Sequence, residues 1–150
     1  MSMTPIDYDV VVKELSKGLI ALDSDIAKSC NMMPHIALSE FRTIRYGAGR
    51  QKGVTTHAVD MAAKFDGHVL YLIHNVSLRD DVVRRYTKKS TGISSLTSLC
   101  GYLPENWQGQ KYGLVLVDEA SFFFHKFSYD KIFRSLATMV ESDVVIHLIN

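Results

Sequence analysis

Three apolar runs constrain the fold of this chain more than any other feature of its sequence. They cover residues 68–74, 112–117 and 143–150, and few polar residues interrupt them. A half-exposed strand alternates apolar and polar residues, whereas a continuous run is typical of a strand buried on both faces. Helical patterns separate the runs, which predicts an α/β fold, a three-layer sandwich with a mainly parallel sheet. We expect residues 41–150 to form this core and residues 1–40 to form an N-terminal helical segment packed on it.

Composition and charge exclude several classes of protein. The chain has 150 residues, and because 47% of them are apolar it can bury a sizeable core. Seventeen Lys and Arg residues against sixteen Asp and Glu residues give a net charge of +1, so nucleic-acid binding would need a local basic patch. No apolar run approaches the roughly 20 residues of a membrane span, and the N-terminus lacks the pattern of a signal peptide. We therefore expect a cytoplasmic protein with no membrane partner, whose Cys30 and Cys100 are buried thiols.

The N-terminal part of the chain has a helical pattern. Apolar residues recur at steps of three and four between residues 7 and 28, which predicts a helix that Gly18 and Asp23 could divide. Pro34 is expected in the link that follows. Residues 41–46 are then predicted to form a short strand that runs into a glycine-rich turn.

Further helices are expected before the first apolar run and between the runs. One follows the glycine-rich turn and ends at Gly67, and a second covers residues 78–86 with Ser77 as its N-cap. Ser128 is expected to cap another helix. Residues 90–111 are rich in Ser, Thr and Gly and carry a weak pattern, from which we expect one or two helical turns. The apolar residues behind that expectation are Ile93, Leu96 and Leu99.

The glycine-rich turn is the first candidate for chemistry. It covers residues 47–53 and lies between a predicted strand and a predicted helix. Backbone N–H groups in such a loop converge on an anion, and the helix N-terminus adds a partial positive charge. The glycines Gly47, Gly49 and Gly53 allow the close approach that side chains would block. The turn is thus either a phosphate-binding loop or a structural turn.

Two adjacent acidic residues are the second candidate for chemistry. Asp118 and Glu119 follow the apolar run 112–117, at the edge of the sheet where ligands of parallel sheets bind. Asp118 could hold Mg²⁺ together with the hydroxyl of Thr55, and Glu119 could accept a proton from water that attacks a γ-phosphate. A helix, a strand and a helix fill the chain between Thr55 and Asp118, which is enough to return to the same sheet. Alone, the acids could equally be a solvated strand end.

The stretches GAGRQKGVTT and LVLVDEAS resemble Walker A and Walker B of the P-loop NTPases. They are similar to the additional-strand class, which includes helicases of superfamilies 1 and 2 and the large-terminase motors of tailed phages. The resemblance covers roughly residues 41–150. It implies that Asn75 and its neighbours approach nucleic acid, and that Asn150 is a polar sensor of the γ-phosphate. DEAS followed by two phenylalanines is also similar to thymidine kinases, but their zinc-binding cysteines are absent.

The resemblance implies ATP as nucleotide and Mg²⁺ as cofactor, with Asp118 and Thr55 as metal ligands and Glu119 as the base. The sequence departs from the Walker A pattern because Val54 stands at the lysine position and Ala48 at the opening glycine. Arg50 and Lys52 are therefore the candidate phosphate cations and join the catalytic set. The residues expected to contact nucleotide are Gly47, Gly49, Arg50, Gln51, Lys52, Gly53, Val54, Thr55, Thr56 and Asn150.

Two functions remain open at this point. The first is an NTPase, most simply an ATPase, in a DNA-related process such as phage DNA packaging or helicase-type remodelling, located in the host cytoplasm if phage-encoded. The second is a catalytically degenerate P-loop domain that serves as a nucleotide-binding or interaction module. The basic helix over residues 79–89 is either a solvated face or a DNA-binding patch. The family core normally continues beyond the last strand found here, so we expect either an unusually short protein, whose N-terminal helices complete the layers, or a part of a larger machine. A homo-oligomer or a larger motor assembly is the partner that this resemblance implies.

Overall fold

One parallel sheet organises the molecule. The computed structural model describes residues 6–47, 54–104, 107 and 109–150, and within these residues five strands form a sheet of order β1-β5-β4-β2-β3. All four pairings between neighbouring strands are parallel. This confirms the predicted α/β class with a mainly parallel sheet. The strands are β1 (Thr43–Tyr46), β2 (Gly67–Leu72), β3 (Ser94–Leu99), β4 (Tyr112–Val117) and β5 (Val140–Ile149).

Helices cover both faces of the sheet. On one face, a buried cluster joins residues of α1, α4 and α5 to alternate residues of the strands; on the other, a second cluster does the same with α3, α6 and α7. Successive strand residues belong to opposite clusters, as Tyr71 and Leu72 do, because side chains of a strand alternate between its faces. The helices are α1 (Tyr8–Ser16), α2 (Asp25–Ser29), α3 (Pro34–Phe41), α4 (Val54–Lys64), α5 (Val76–Lys89), α6 (Ala120–Lys126) and α7 (Tyr129–Leu136).

The N-terminal helical pattern is divided, as Gly18 and Asp23 indicated. The chain leaves α1 after Ser16 and enters α2 with Ser24 as N-cap, whose hydroxyl accepts a hydrogen bond from the N–H of Ala27. The prediction that Pro34 lies in a link is wrong. Pro34 is the first residue of α3, where its missing N–H costs nothing because the first turn of a helix leaves its N–H groups unpaired.

Two further expectations need correction. The N-cap of α5 is Asn75 rather than Ser77, since Oδ1 of Asn75 accepts hydrogen bonds from the N–H groups of Ser77 and Leu78, and the helix reaches Lys89. The helical turns expected near residues 93–99 are instead the edge strand β3. Leu96 and Leu99 pack into opposite clusters, as residues three apart on a strand must.

Exposure differs from expectation in the N-terminal segment. Leu15 and Ile26, two of the apolar residues that form the helical pattern between residues 7 and 28, are exposed, and so is Cys30, which was expected to be buried. The segment instead contacts the core through Tyr8 and Leu38, which are buried in the two clusters. Among residues 6–47, 54–104, 107 and 109–150, no helix is long and apolar enough to cross a membrane.

Candidate functional site

Residues that follow four strands meet at one edge of the sheet. Because the strands are parallel, their carboxyl ends lie together, and Gly47, His74, Asp118 and Asn150 come shortly after β1, β2, β4 and β5 respectively. Ligands of open parallel sheets bind outside this edge. The candidate site is therefore built from segments far apart in the chain.

Asp118 is the centre of the site. Its side chain is buried, with the residue 1% exposed, and Oδ2 accepts hydrogen bonds from Oγ1 of Thr55 at 2.9 Å and from the hydroxyl of Tyr71 at 2.6 Å. Its Oδ1 accepts a third from the N–H of Glu119, at 2.9 Å. A buried carboxylate is tolerated only when such donors replace water. The structure thus brings together Thr55 and Asp118, which are 63 positions apart in the chain.

Tyr71 is a donor that the sequence analysis missed. It is fully buried on β2, the strand beside β4, and both its burial and the nearby charge of Asp118 raise the pKa of its phenol well above the usual value. The hydroxyl therefore stays protonated at any physiological pH and donates a hydrogen bond to Asp118.

The start of α4 carries the residues predicted to face phosphates. The hydroxyl of Thr55 points to Asp118, and Thr56 is exposed. Val54, at the position of the usual lysine, is 8% exposed and packs into the same buried cluster as Ala58 and Leu114. Its side chain therefore contributes to the core. The predicted nucleotide contacts Gly49, Arg50, Gln51, Lys52 and Gly53 lie outside the described residues.

Glu119 has an unusual backbone conformation. It is the N-cap residue of α6 with φ 48° and ψ 52°, in the left-handed region that non-glycine residues rarely occupy. Such conformations cost free energy and concentrate at functional sites. The carboxylate Oε2 lies 2.6 Å from Nε2 of His74, and both side chains are partly exposed. Asp118 and Glu119 thus contact different partners. Tyr71 on β2 contacts Asp118, and His74, two residues after β2, contacts Glu119.

Asn150 and Gly47 close the site on the side of β1. The N–H of Asn150 donates to the carbonyl of Tyr46 at 3.0 Å, and its Oδ1 accepts from both the N–H and the hydroxyl of Ser121. The side chain thereby caps α6, which has no side-chain cap from Glu119. This contact is a structural one, and the sensor role of Asn150 stays a prediction.

A polar cluster behind β1 was also not predicted as a unit. The hydroxyl of Tyr46 lies 2.8 Å from Nδ1 of His147 and 3.5 Å from Nε2 of His57. Burial, with a smaller contribution from His57, lowers the pKa of His147 to about 3. His147 is therefore neutral, and its Nδ1 shares a hydrogen bond with the hydroxyl of Tyr46. His147 is thus a core histidine, buried and hydrogen-bonded to Tyr46.

The oxygen atoms at this edge suit Mg²⁺. Asp118 offers a carboxylate and Thr55 a hydroxyl, and Mg²⁺ prefers such hard oxygen ligands, with one or two carboxylates completed by water and substrate phosphates. Within the part of the chain that the structure describes, no group of three or more His, Cys, Asp or Glu residues could hold a metal ion by itself. The donor set thus fits a metal that is shared with a phosphate ligand.

The basic helix α5 is less positive than its sequence suggests. Arg79 pairs with Asp80 at 3.0 Å, Asp81 pairs with two arginines of the next turn, and Lys89 pairs with Asp60 of α4. Exposed pairs of this kind contribute little to stability, but they offset part of the positive charge of α5, which holds five Lys or Arg residues against two Asp residues. The interpretation of α5 as a solvated face is compatible with these pairs, and DNA binding there stays a prediction.

Comparison with known proteins found no protein-family model that matches this chain and no curated protein that is significantly similar to it. The class of protein therefore has to be argued from the fold and the geometry of the site.

Proposed function

We propose that this chain is an NTPase of the additional-strand P-loop class that binds ATP and hydrolyses it in a Mg²⁺-dependent reaction. The observation that carries the proposal is the 2.9 Å hydrogen bond between Thr55 and Asp118. It joins the first turn of the helix after a glycine-rich loop to the carboxylate after a buried strand. These are the two positions that such a site uses for its metal.

The order of the strands supports the proposal. Strand β5 lies between β1, which leads into the glycine-rich loop, and β4, which ends at Asp118. An extra strand between these two is the arrangement that gives the additional-strand class its name.

The proposed reaction assigns a task to each part of the site. Backbone N–H groups of the loop 47–53 bind the phosphates, and Arg50 and Lys52 supply the positive charge that Val54 lacks. Thr55 and Asp118 would hold Mg²⁺, which neutralises charge on the phosphate oxygens when it is bound. Glu119 accepts a proton from water as the water oxygen bonds to the γ-phosphorus and the bond to the β-phosphate oxygen breaks. The products are ADP and inorganic phosphate.

We further propose that the activity belongs to a DNA-related process, such as phage DNA packaging or helicase-type remodelling. The support is the position of α5, whose N-cap Asn75 directly follows His74 at the edge of the site. DNA bound to α5 would therefore lie within reach of the residues that contact Glu119. A homo-oligomer or a larger motor assembly would supply further surfaces for DNA.

One observation favours a second function. Because Val54 is buried, no cation occupies the usual lysine position, and phosphate binding depends on Arg50 and Lys52. A domain that binds nucleotide without turnover, as an interaction or regulatory module, fits that departure.

Phosphate release with Mg²⁺ and ATP, with and without duplex DNA, separates the two functions. The proposal expects release by the wild type and its loss in Glu119→Gln, while Mg·ATP still raises the melting temperature of both. Glu141→Gln is the matched control, because Glu141 is an exposed residue near the opposite end of β5. Stabilisation by Mg·ATP without release favours the module, and absence of both effects overturns nucleotide binding altogether.

A further inference from the structure

His74 lies where β2 meets the acidic pair of the neighbouring strand. The register pairs Leu72 of β2 with Val117 of β4, so the residues that follow each strand emerge side by side. The hydroxyl of Tyr71 donates to Asp118, and the imidazole of His74 contacts Glu119 at 2.6 Å. Both acids are thus contacted from β2 and the chain just beyond it. Tyr71 on the strand contacts Asp118, and His74 after the end of the strand contacts Glu119.

The contact leaves Glu119 with one carboxylate oxygen for a further partner. An ionised carboxylate only accepts hydrogen bonds, so Nε2 of His74 is the donor and Oε2 of Glu119 the acceptor. This bond fixes the rotation of the carboxylate and leaves Oε1 to accept a proton from water. A base is effective only when its oxygen is held within hydrogen-bond reach of the proton it removes.

His74 is itself held by its surroundings. The ring of Phe122 lies beside its imidazole, with centroids 5.5 Å apart and planes 31° apart, and Nζ of Lys126 donates to its carbonyl at 3.4 Å. The next residue, Asn75, is tied to the first turn of α5 by two hydrogen bonds. The Phe122 ring limits the rotation of the imidazole, and the hydrogen bonds at the carbonyl of His74 and at Asn75 hold the chain that carries it, so His74 can position another group.

From this geometry we infer that His74 is a positioning residue, which holds the carboxylate of Glu119 so that Oε1 faces the attacking water. The inference rests on the proposed function, since it assigns a partner to the base of that reaction. Misplacing a catalytic group by about 1 Å costs on the order of 100-fold in rate. His74→Ala should therefore lower kcat by about 10- to 100-fold and leave KM for Mg·ATP within about twofold.

A conservative variant tests the hydrogen bond itself. The side-chain amide of Gln can place an N–H donor close to the position of Nε2, so His74→Gln should recover a substantial part of the lost kcat. His68→Gln is the matched control: His68 lies near the opposite end of β2, and its Nδ1 contacts the hydroxyl of Ser95 at 2.7 Å, away from the acids. It should leave kcat and KM unchanged.

The contact can also be examined without any turnover. In ¹⁵N nuclear magnetic resonance spectra of the whole chain, Glu119→Ala should shift the ring nitrogens of His74 and leave those of His68 in place. An unchanged His74 spectrum would show that the two side chains do not meet in solution and would overturn the inference.

The kinetic outcomes separate this inference from the function on which it rests. A wild type without phosphate release overturns the proposed hydrolysis, and the role of His74 with it. Release by the wild type with an unchanged or higher kcat in His74→Ala overturns only the role of His74. An equal loss in the Ala and Gln variants, or a loss confined to KM, also overturns it, because a donor to Glu119 would then not be the cause.

Discussion

The backbone of Gly47 packs directly on the backbone of Asn150. A Cβ atom built on Gly47 would lie 1.9 Å from the carbonyl oxygen of Asn150, and the φ of Gly47 is +149°. The N–H of Asn150 also donates to the carbonyl of Tyr46, so the ends of β1 and β5 are joined here. Glycine is therefore required for packing at the position where the candidate phosphate loop begins.

We expect Gly47→Ala to destabilise the protein. The methyl group meets backbone atoms, which cannot rotate away, and alanine is strained at a positive φ. Together these effects should lower the free energy of unfolding by roughly 3 kcal/mol. Urea denaturation followed by circular dichroism measures the change. Gly18→Ala is the control, because nothing lies within 4 Å of a Cβ there, and its effect should stay within about 0.5 kcal/mol.

Equal stability of these two alanine variants would contradict the close packing of β1 on β5. It would also weaken the candidate site, since that packing places the loop beside the end of β5.

Tyr71→Phe should destabilise the protein by removing a donor from a buried charge. The hydroxyl lies 2.6 Å from Oδ2 of Asp118, and a buried carboxylate that loses a hydrogen bond costs about 1.5–3 kcal/mol. Tyr86→Phe provides the comparison, because its half-buried hydroxyl contacts only neutral atoms of Ser94, where about 1 kcal/mol is expected. Thermal and urea unfolding measure both. A smaller loss in Tyr71→Phe than in Tyr86→Phe would contradict the hydrogen bond from Tyr71 to Asp118 at the centre of the site.

The parts of the fold that the sequence predicted are those with one dominant signal. Strands β2, β4 and β5 are buried on both faces, so their apolar runs have few alternative interpretations. Strand β3 lies at the edge of the sheet and carries serine and threonine between its leucines, so its spacing fits a helix as well as a strand. Pairing with β2 decides between the two, and that pairing is not visible in the local sequence.

The residues of the candidate site also differ in whether the local sequence could predict them. Thr55 and Asp118 could be selected because each follows a recognisable element at a fixed offset. Tyr71 and His74 could not, since their importance depends on β2 being the neighbour of β4. Strand order is set by the packing of the whole domain, so a residue that matters only through a neighbouring strand leaves no local signal.

Stability should fall as the solution becomes acidic, because of His147. Burial lowers its pKa in the folded protein to about 3, whereas an unfolded histidine has a pKa of about 6.5. Below about pH 6.5 the unfolded chain binds a proton that the folded protein excludes, so the free energy of unfolding drops by about 1.4 kcal/mol per pH unit. Burial also lowers the pKa of His57, although Asp9 opposes the shift, so its contribution has the same sign.

The variant His147→Asn isolates this effect. Asparagine keeps a hydrogen-bonding group near the position of Nδ1, either its amide oxygen or its amide nitrogen, for the hydroxyl of Tyr46, and it does not titrate in this range. Between about pH 6.5 and about pH 5, the wild type should lose about 2 kcal/mol more than the variant in urea unfolding. The carboxylates titrate in both proteins and cancel in the comparison. Parallel pH profiles would contradict a neutral, buried His147.

Charge pairing on α5 offers a sharp test of DNA binding. Asp81 pairs with Arg84 and with Arg85, so Asp81→Asn frees two arginines while exposed pairs contribute little to stability. If α5 contacts DNA phosphates, this variant should bind duplex DNA about fivefold more tightly at low salt, with a steeper salt dependence because freed arginines can release counterions. Fluorescence anisotropy across a salt series measures the affinity and its salt dependence.

The control for this test is Asp130→Asn, which makes the same change of charge and frees Arg134 on α7, away from α5. Equal gains in both variants would mean that net charge alone is responsible, and α5 would then be a solvated face.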